Sequence, residues 1–398
     1  MTHLQDQQPE YTPPGEPGAT VSAGLAAGND DSEALCEQVA RAHAERATLR
    51  IVGGDTKAFY GRRVDAAQSL STTGHHGIVH YDPVELVATV RAGTRLRDLE
   101  RALADNGQRL AFEPPHFGDD ATVGGMVAAG LSGPRRPWVG AVRDFVLGVR
   151  VITFEGKHLR FGGEVMKNVA GYDLSRLMVG AQGTLGVLTE ISFKVLPIPQ
   201  AHACLRLELP LAEALDRLTA WGREPLPITG AAHDGEALHI RLEGGEGSVS
   251  ATRQRLGGES EEPLFWSQLR EQRLPFFDGA FDGTFDTPAG RTLWRLSLPT
   301  LARTPALEGD WFIDWGGAQR WLQSPEERSS EENGPESDTH IKEVAIAAGG
   351  HATRFTPNAN GDSPFTPLAP VLAKYHRQLK QRLDPQAIFN PGRLYAEW

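Results

Sequence analysis

Cysteine is nearly absent: Cys36 and Cys204 are the only two in 398 residues. So low a count in a large chain excludes a disulfide framework, and two thiolates cannot hold a four-cysteine iron–sulfur cluster. A reducing cytoplasm is the natural setting. Net positive charge is missing as well, since 40 basic residues stand against 51 acidic ones and leave −11. Nucleic-acid binding needs basic surface, so no such partner is expected. No apolar run approaches the length that spans a bilayer, and no integral membrane segment is expected. The opening MTHLQDQQPEYTPPGEPG has neither a basic start nor an apolar core, unlike a secretory signal.

The length suits two domains with tails. Residues 1–30, rich in Pro, Gly, Gln and Asp, are expected to form a disordered tail. Helical spacing begins at Ser32, with Leu35, Val39 and Ala42 on one face. A strand at 86–91 turns at Gly93 into a helix capped by Thr94, lined by Leu96, Leu99 and Leu103 and closed by Asn106-Gly107. Segments 146–154 and 159–161 flank the turn Glu155-Gly156-Lys157 and read as a hairpin. In 186–196, Val187, Thr189, Ile191, Phe193 and Val195 alternate with Glu190, Ser192 and Lys194, the pattern of a half-buried strand. Pro197 and Pro199 close a first domain, 31–199. A second α+β unit is expected over 200–365, interrupted by an acidic, serine-rich mobile loop at 324–338; residues 366–398 form a C-terminal segment.

Three glycine-rich stretches stand out. TVGGMVAAGLSG (122–133) carries four glycines, three Ala or Ser and few larger side chains. So bare a backbone lets successive N–H groups converge on a diphosphate. A second loop, IVGGDTKAFYG (51–61), follows a short strand, and the third stretch is KNVAGYDLSRLMVGAQGTLGVLTE (167–190). None matches the nicotinamide fingerprint or a Walker loop.

In this order and spacing the three stretches resemble the FAD-binding domain of the vanillyl-alcohol oxidase, or PCMH, type. The nearer resemblance is to the branch that oxidises 2-hydroxy acids, and within it to the FAD-binding subunits of bacterial glycolate oxidase. It is strong over 49–196 and returns at IFNPGRLY (388–395). The resemblance implies an α+β fold: a two-subdomain PCMH-type FAD-binding domain, a smaller α+β cap domain, and a C-terminal segment that returns to the FAD domain. The implied cofactor residues are Gly53, Gly54, Asp55 and Thr56 in the first loop, Thr122, Gly124, Gly125 and Gly133 in the second, Gly183, Gly186, Val187 and Ile191 in the third, and Asn390. Relatives with covalent FAD commonly have histidine after the first glycine pair. Asp55 stands there, so noncovalent FAD is expected. Tyr172 and Asp173 read as structural.

Catalytic members of that branch usually carry an H-x-G-D-G-N motif, and this sequence does not reproduce it. In AHDGEALHIRLEG, His233 and His239 read as packed histidines, because a metal site needs several convergent ligands. His351 and Arg354 in GGHATRF remain as candidate catalytic residues, a neutral imidazole to take a proton and a guanidinium to hold a carboxylate. The resemblance implies a subunit that works beside a homologous catalytic FAD subunit and an iron–sulfur subunit on glycolate, a small 2-hydroxy acid. Peripheral attachment at the inner membrane would come through those partners. A stand-alone FAD-dependent hydroxy-acid or alcohol oxidase, and a non-catalytic FAD-containing assembly subunit, are the alternatives.

Overall fold

The computed structural model describes residues 28–163, 173–278, 291–325, 337–357 and 363–397. The tail up to residue 27, most of the acidic stretch 324–338, and Tyr172 lie outside the described residues. The margins of two of these segments are built into the fold. Asn29 bridges to His76, Ser324 and Pro325 finish the strand Gln319–Pro325, and Ser337 caps the helix Asp338–Ala347 by accepting from the His340 N–H.

The first half of the chain forms a five-stranded antiparallel sheet in the order Ile78–Asp82, Val87–Arg91, Val187–Lys194, Val146–Ile152, His158–Gly162. The hairpin forms where the turn residues place it, with Gly156 at φ +77. The strand Val187–Lys194 sits in the centre and is buried on both faces, unlike the half-buried strand that its alternation suggests. Ser192 is covered because its hydroxyl pairs with that of Thr89 at 2.8 Å, which satisfies both polar groups inside the protein. The helix Leu96–Ala104 buries Leu96, Leu99 and Leu103 as its spacing requires. Thr94 does not cap it; the Thr94 hydroxyl accepts from the Gly77 N–H at 2.8 Å.

Beside this sheet, the helix Ser32–Glu45 and the parallel pair Leu49–Val52 and Gln68–Ser71 share a core with Ile388 and Phe389. Leu49 bridges to Phe389, so the C-terminal segment extends that small sheet. The helix Pro370–Leu383 precedes it. Its Lys380 is buried against Asp384 at 2.6 Å and donates to the carbonyl of Thr184.

The second unit, expected to be the smaller, holds the wider sheet. Its eight antiparallel strands run Glu259–Ser260, Ala201–Leu207, Leu238–Gly244, Ile228–His233, Asp310–Asp314, Gln319–Pro325, Arg291–Ser297, His351–Arg354. Phe59 and Leu131 from the first half pack into one apolar cluster with Leu293, Phe312, Trp321 and Phe355 from the second. No helix among the described residues is long and apolar enough to cross a membrane.

A buried charge network joins the halves. Glu113 receives both terminal nitrogens of Arg241, at 2.8 and 2.9 Å, while Glu243 receives Arg135 at 2.6 Å and Arg109 at 3.0 Å. Burial alone would raise the pKa of Glu243, but these arginines hold it down at about 2. Bidentate geometry and mutual satisfaction are what make such burial tolerable.

Asp314 lies near this network with the opposite balance. Burial dominates and pushes its pKa up to about 7, although its carboxyl accepts from the Trp315 N–H at 2.6 Å. The folded chain therefore holds this proton more tightly than the unfolded chain does. That stability is present below the ordinary carboxylate pKa of about 4 and is lost as pH rises through about 7, with a slope of at most about 1.4 kcal/mol per pH unit. Asp314→Asn is expected to melt above the parent near neutral pH, with the gap closing toward about pH 4. A gap that stays constant across a pH series of thermal melts would overturn the assignment.

Candidate cofactor site

The strand Leu49–Val52 ends at Gly53, and the chain doubles back through the first glycine loop. A Cβ on Gly54 would collide with the carbonyl oxygen of Asp120, and one on Gly53 with the Thr122 hydroxyl. These two glycines therefore let the first and second loops lie against each other. In the second loop Thr122 caps the helix Val123–Ala129, its hydroxyl accepting from the Gly125 N–H at 3.2 Å. A Cβ on Gly125 would meet only that same hydroxyl oxygen, at 3.1 Å, so this position faces space and not packed protein. The third loop turns through Gln182 and Gly183, both with positive φ, and a Cβ on Gly183 would press on the Asn390 amide.

The three loops enclose a cleft with about 940 Å³ of space between atoms, part of it open to solvent. Gly53, Gly54, Asp55, Thr56, Thr122, Gly124, Gly125, Gly183, Gly186 and Asn390 all line it. Among the described residues, the N–H groups of residues 54–57 have no hydrogen-bond partner within the protein. Consecutive free amides at the edge of a cleft form the concave donor array that anions occupy. A diphosphate thus fits the donor set that the chain presents.

Two side chains of the first loop are engaged elsewhere. The Thr56 hydroxyl donates to the carbonyl of His116 at 2.8 Å, and Asp55, at φ +58, pairs with Arg50 at 2.5 Å. Their side chains are thus occupied, and what they leave free is their backbone N–H groups. Lys57, which the sequence reading passed over, also lines the cleft and donates to the His116 carbonyl at 3.0 Å. Burial lowers its pKa to about 8, against the pull of Glu271.

The C-terminal segment holds the site together. Asn390, at φ +39, accepts from the Ile51 N–H at 2.8 Å and donates to the Gln182 carbonyl at 2.7 Å, tying the first loop to the third. The Arg393 guanidinium donates to the carbonyls of Lys57, Ala58, Tyr60 and Arg62 and to the side chain of Gln182. Burial brings its pKa down to about 10. The IFNPGRLY motif contains both residues, but the sequence reading took only Asn390 from it.

Three cofactor candidates are not in the cleft. Val187 is wholly buried in the core that contains Leu35 and Phe389, and Ile191 is wholly buried in the core of the five-stranded sheet. The family resemblance had implied them as cofactor residues, whereas the central position of their strand buries both of its faces. Gly133 lies instead at the junction of the two sheets, where its carbonyl accepts from the Trp315 indole N–H at 3.1 Å.

The candidate catalytic pair is separated. In the short strand His351–Arg354, positions three apart point to opposite faces. Arg354 is on the face with Trp294 and the helix Asp338–Ala347, where it pairs with Asp338 at 3.1 Å. His351 is on the other face; burial and the positive charges of Arg295 and Arg136 lower its pKa. The two cannot hold one small substrate between them, and neither lines the cleft. His233 and His239 are packed, as their context suggested. His239 is held by Glu261 at 2.8 Å and Asp234 at 3.0 Å, and His233 meets the carbonyl of Leu209. Asp173 caps the helix Leu174–Leu177.

On the cleft side of the eight-stranded sheet the prominent cation is Arg295. It donates to the Tyr60 hydroxyl at 2.9 Å, and Tyr60 in turn lines the cleft.

Comparison with known proteins agrees with this geometry. Residues 27–162 match a family model described as an FAD binding domain. The chain is 56% identical to the glycolate oxidase subunit GlcE of Escherichia coli (strain K12) over 368 residues, 92% of this chain and 98% of that protein. It is 39% identical to the glycolate oxidase subunit GlcD of Bacillus subtilis (strain 168) over 140 residues, covering 35% of this chain and 29% of that one. A solved alkyldihydroxyacetonephosphate synthase superposes with a TM-score of 0.65 at 18% identity over 91% of this chain and 76% of that chain, a likeness of fold. An α+β, PCMH-type flavoprotein with FAD as its cofactor accounts for both the loops and these likenesses, and the chain belongs to the family of the glycolate oxidase subunit GlcE.

Proposed function

We propose that the chain is the FAD-binding subunit of a glycolate oxidase complex that oxidises glycolate to glyoxylate, beside a homologous catalytic FAD subunit and an iron–sulfur partner. The observation that carries this reading is the convergence of three glycine loops on one cleft, with the unpartnered N–H groups of residues 54–57 at its edge. When bound, FAD supplies two-electron redox chemistry. The chain's own part is to hold the diphosphate with backbone donors and to leave room at Gly125. Arg393 and Asn390 keep the loops in register. Asp55 occupies the position at which a histidine would anchor the flavin, and its carboxylate is paired with Arg50, which supports noncovalent binding. Two distant cysteines leave cluster chemistry to a partner.

The purified protein is expected to be yellow and to release FAD into the supernatant on acid precipitation. FMN is expected to bind poorly, since each charge-assisted hydrogen bond it cannot make is worth roughly 1.5 to 3 kcal/mol. Flavin that stays with the precipitated protein would refute the noncovalent assignment, and a colourless chain that ignores added FAD would refute the cleft.

Gly125→Val puts its side chain into the cleft, whereas Gly133→Val drives one into the carbonyl of Glu113. The first variant is expected to lose FAD while keeping the melting temperature of the apoprotein. The second is expected to melt several degrees lower, by roughly 1 to 3 kcal/mol of strain. Full FAD occupancy in Gly125→Val would mean that the second loop does not face the cofactor.

The isolated chain is expected to reduce dye with glycolate slowly, and co-expression with the two proposed partners is expected to raise that rate. Rapid turnover by the chain alone would instead support a stand-alone oxidase.

A further inference from the structure

The helix Pro370–Leu383 leaves its apolar side chains outside the protein. Of its 14 residues only Lys380 is buried, whereas the helix Ser32–Glu45, of the same length, buries Leu35, Val39 and Ala42. Val371, Leu372 and Tyr375 are 65%, 52% and 61% exposed. With the half-buried Leu379 they fall within about 100° of one another around the helix, and Lys380 projects from another side. Single exposed apolar residues are ordinary, but a contiguous stripe marks a surface that another body covers. The charge of this helix is also unlike that of the chain. Residues 370–383 include Lys374, Arg377, Lys380 and Arg382 and no Asp or Glu, in a sequence whose net charge is −11. Lys380 is engaged internally: it pairs with Asp384 at 2.6 Å and donates to the carbonyls of Thr184 and Phe389, which ties the inner side of the helix to the third glycine loop. Lys374, Arg377 and Arg382 are exposed and make no ion pair among the described residues.

An apolar stripe flanked by uncompensated cations fits a groove with an apolar floor and a carboxylate rim, the arrangement in which amphipathic helices seat in partner proteins. An anionic bilayer also combines apolar depth with negative charge. The chain's net negative charge opposes approach to one, however, and the stripe has neither the Trp nor the Phe that anchors interfacial helices. We propose that the outer face of Pro370–Leu383 is the docking surface for a second, different protein chain, one that presents an apolar groove rimmed by Asp and Glu side chains. Leu372 and Tyr375 are its apolar anchors, and Lys374, Arg377 and Arg382 meet the rim. The proposal deepens the subunit reading above and rests on it for the existence of partner chains. Because Lys380 ties the helix to the loop that contains Gly183, a chain seated on the outer face is attached to the flavin-binding half of the molecule.

Co-expression of the tagged full-length chain with the two proposed partner subunits, followed by quantification of the complex recovered through the tag, tests the surface. The double variant Leu372→Asp, Tyr375→Asp is expected to lower recovery at least about tenfold, as loss of buried anchors does. Lys374→Glu with Arg377→Glu is expected to lower it several-fold, and recovery with the parent is expected to fall as salt rises. None of these four residues lines the cofactor cleft, so FAD content and melting temperature of the isolated variants are expected to match the parent's, which separates lost docking from lost folding. A complex that forms with the parent and survives in both double variants overturns this proposal alone. A parent that forms no complex overturns the subunit reading and the proposal with it. The isolated chain is also floated with vesicles of phosphatidylglycerol and phosphatidylethanolamine and sized by gel filtration. It is expected to stay off the vesicles and to elute as a monomer. Vesicle binding, or self-association, that Leu372→Asp with Tyr375→Asp abolishes would overturn the proposal in favour of a lipid surface or a second copy of this chain.

Discussion

One guanidinium, that of Arg393, fixes the shape of the cofactor cleft. Its donors reach three carbonyls of the first glycine loop, that of Arg62 just beyond it, and the Gln182 side chain of the third, so two loops far apart in sequence share one rigid cation. Glycine loops are flexible by composition and lose much backbone entropy when ordered. Without such a clamp, the free amides at residues 54–57 would have no fixed geometry to offer an anion. Asn390 adds a second tie between the same loops. Lysine could not replace the arginine, since only the planar fork presents five donors in fixed directions.

A second constraint positions the two sheets. The apolar cluster around Phe59, Trp321 and Phe355 supplies non-directional attraction, while the pairs of Glu113 and Glu243 with Arg109, Arg135 and Arg241 set the register. Buried ion pairs add little net stability but penalise misalignment, because a shift would leave charges unpaired in a dry interior.

Much of the fold was legible in sequence because it depends on local patterns. The 155–157 hairpin, the helix lined by Leu96, Leu99 and Leu103, and the small-residue loops all follow from spacing and backbone freedom. Features that depend on distant partners were not legible. Val187 and Ile191 were implied as cofactor residues by the family resemblance, and alternation could not correct this because it reveals two faces of a strand without saying which of them is covered. The central place of their strand in the sheet covers both. His351 and Arg354 looked like a functional pair through proximity in sequence, yet an odd spacing in a strand separates them, a rule applicable once the strand itself is known.

The clamp also bears on the timing of synthesis. Arg393 reaches back 336 positions to the carbonyl of Lys57, so the first cofactor loop leaves the ribosome long before the residue that holds it in shape. At the usual pace of elongation that interval is on the order of 17 to 67 seconds. During it the glycine loop exists without its clamp, and the cleft has no finished form to offer. The loop thus takes its final shape only once the segment that carries Arg393 has been made.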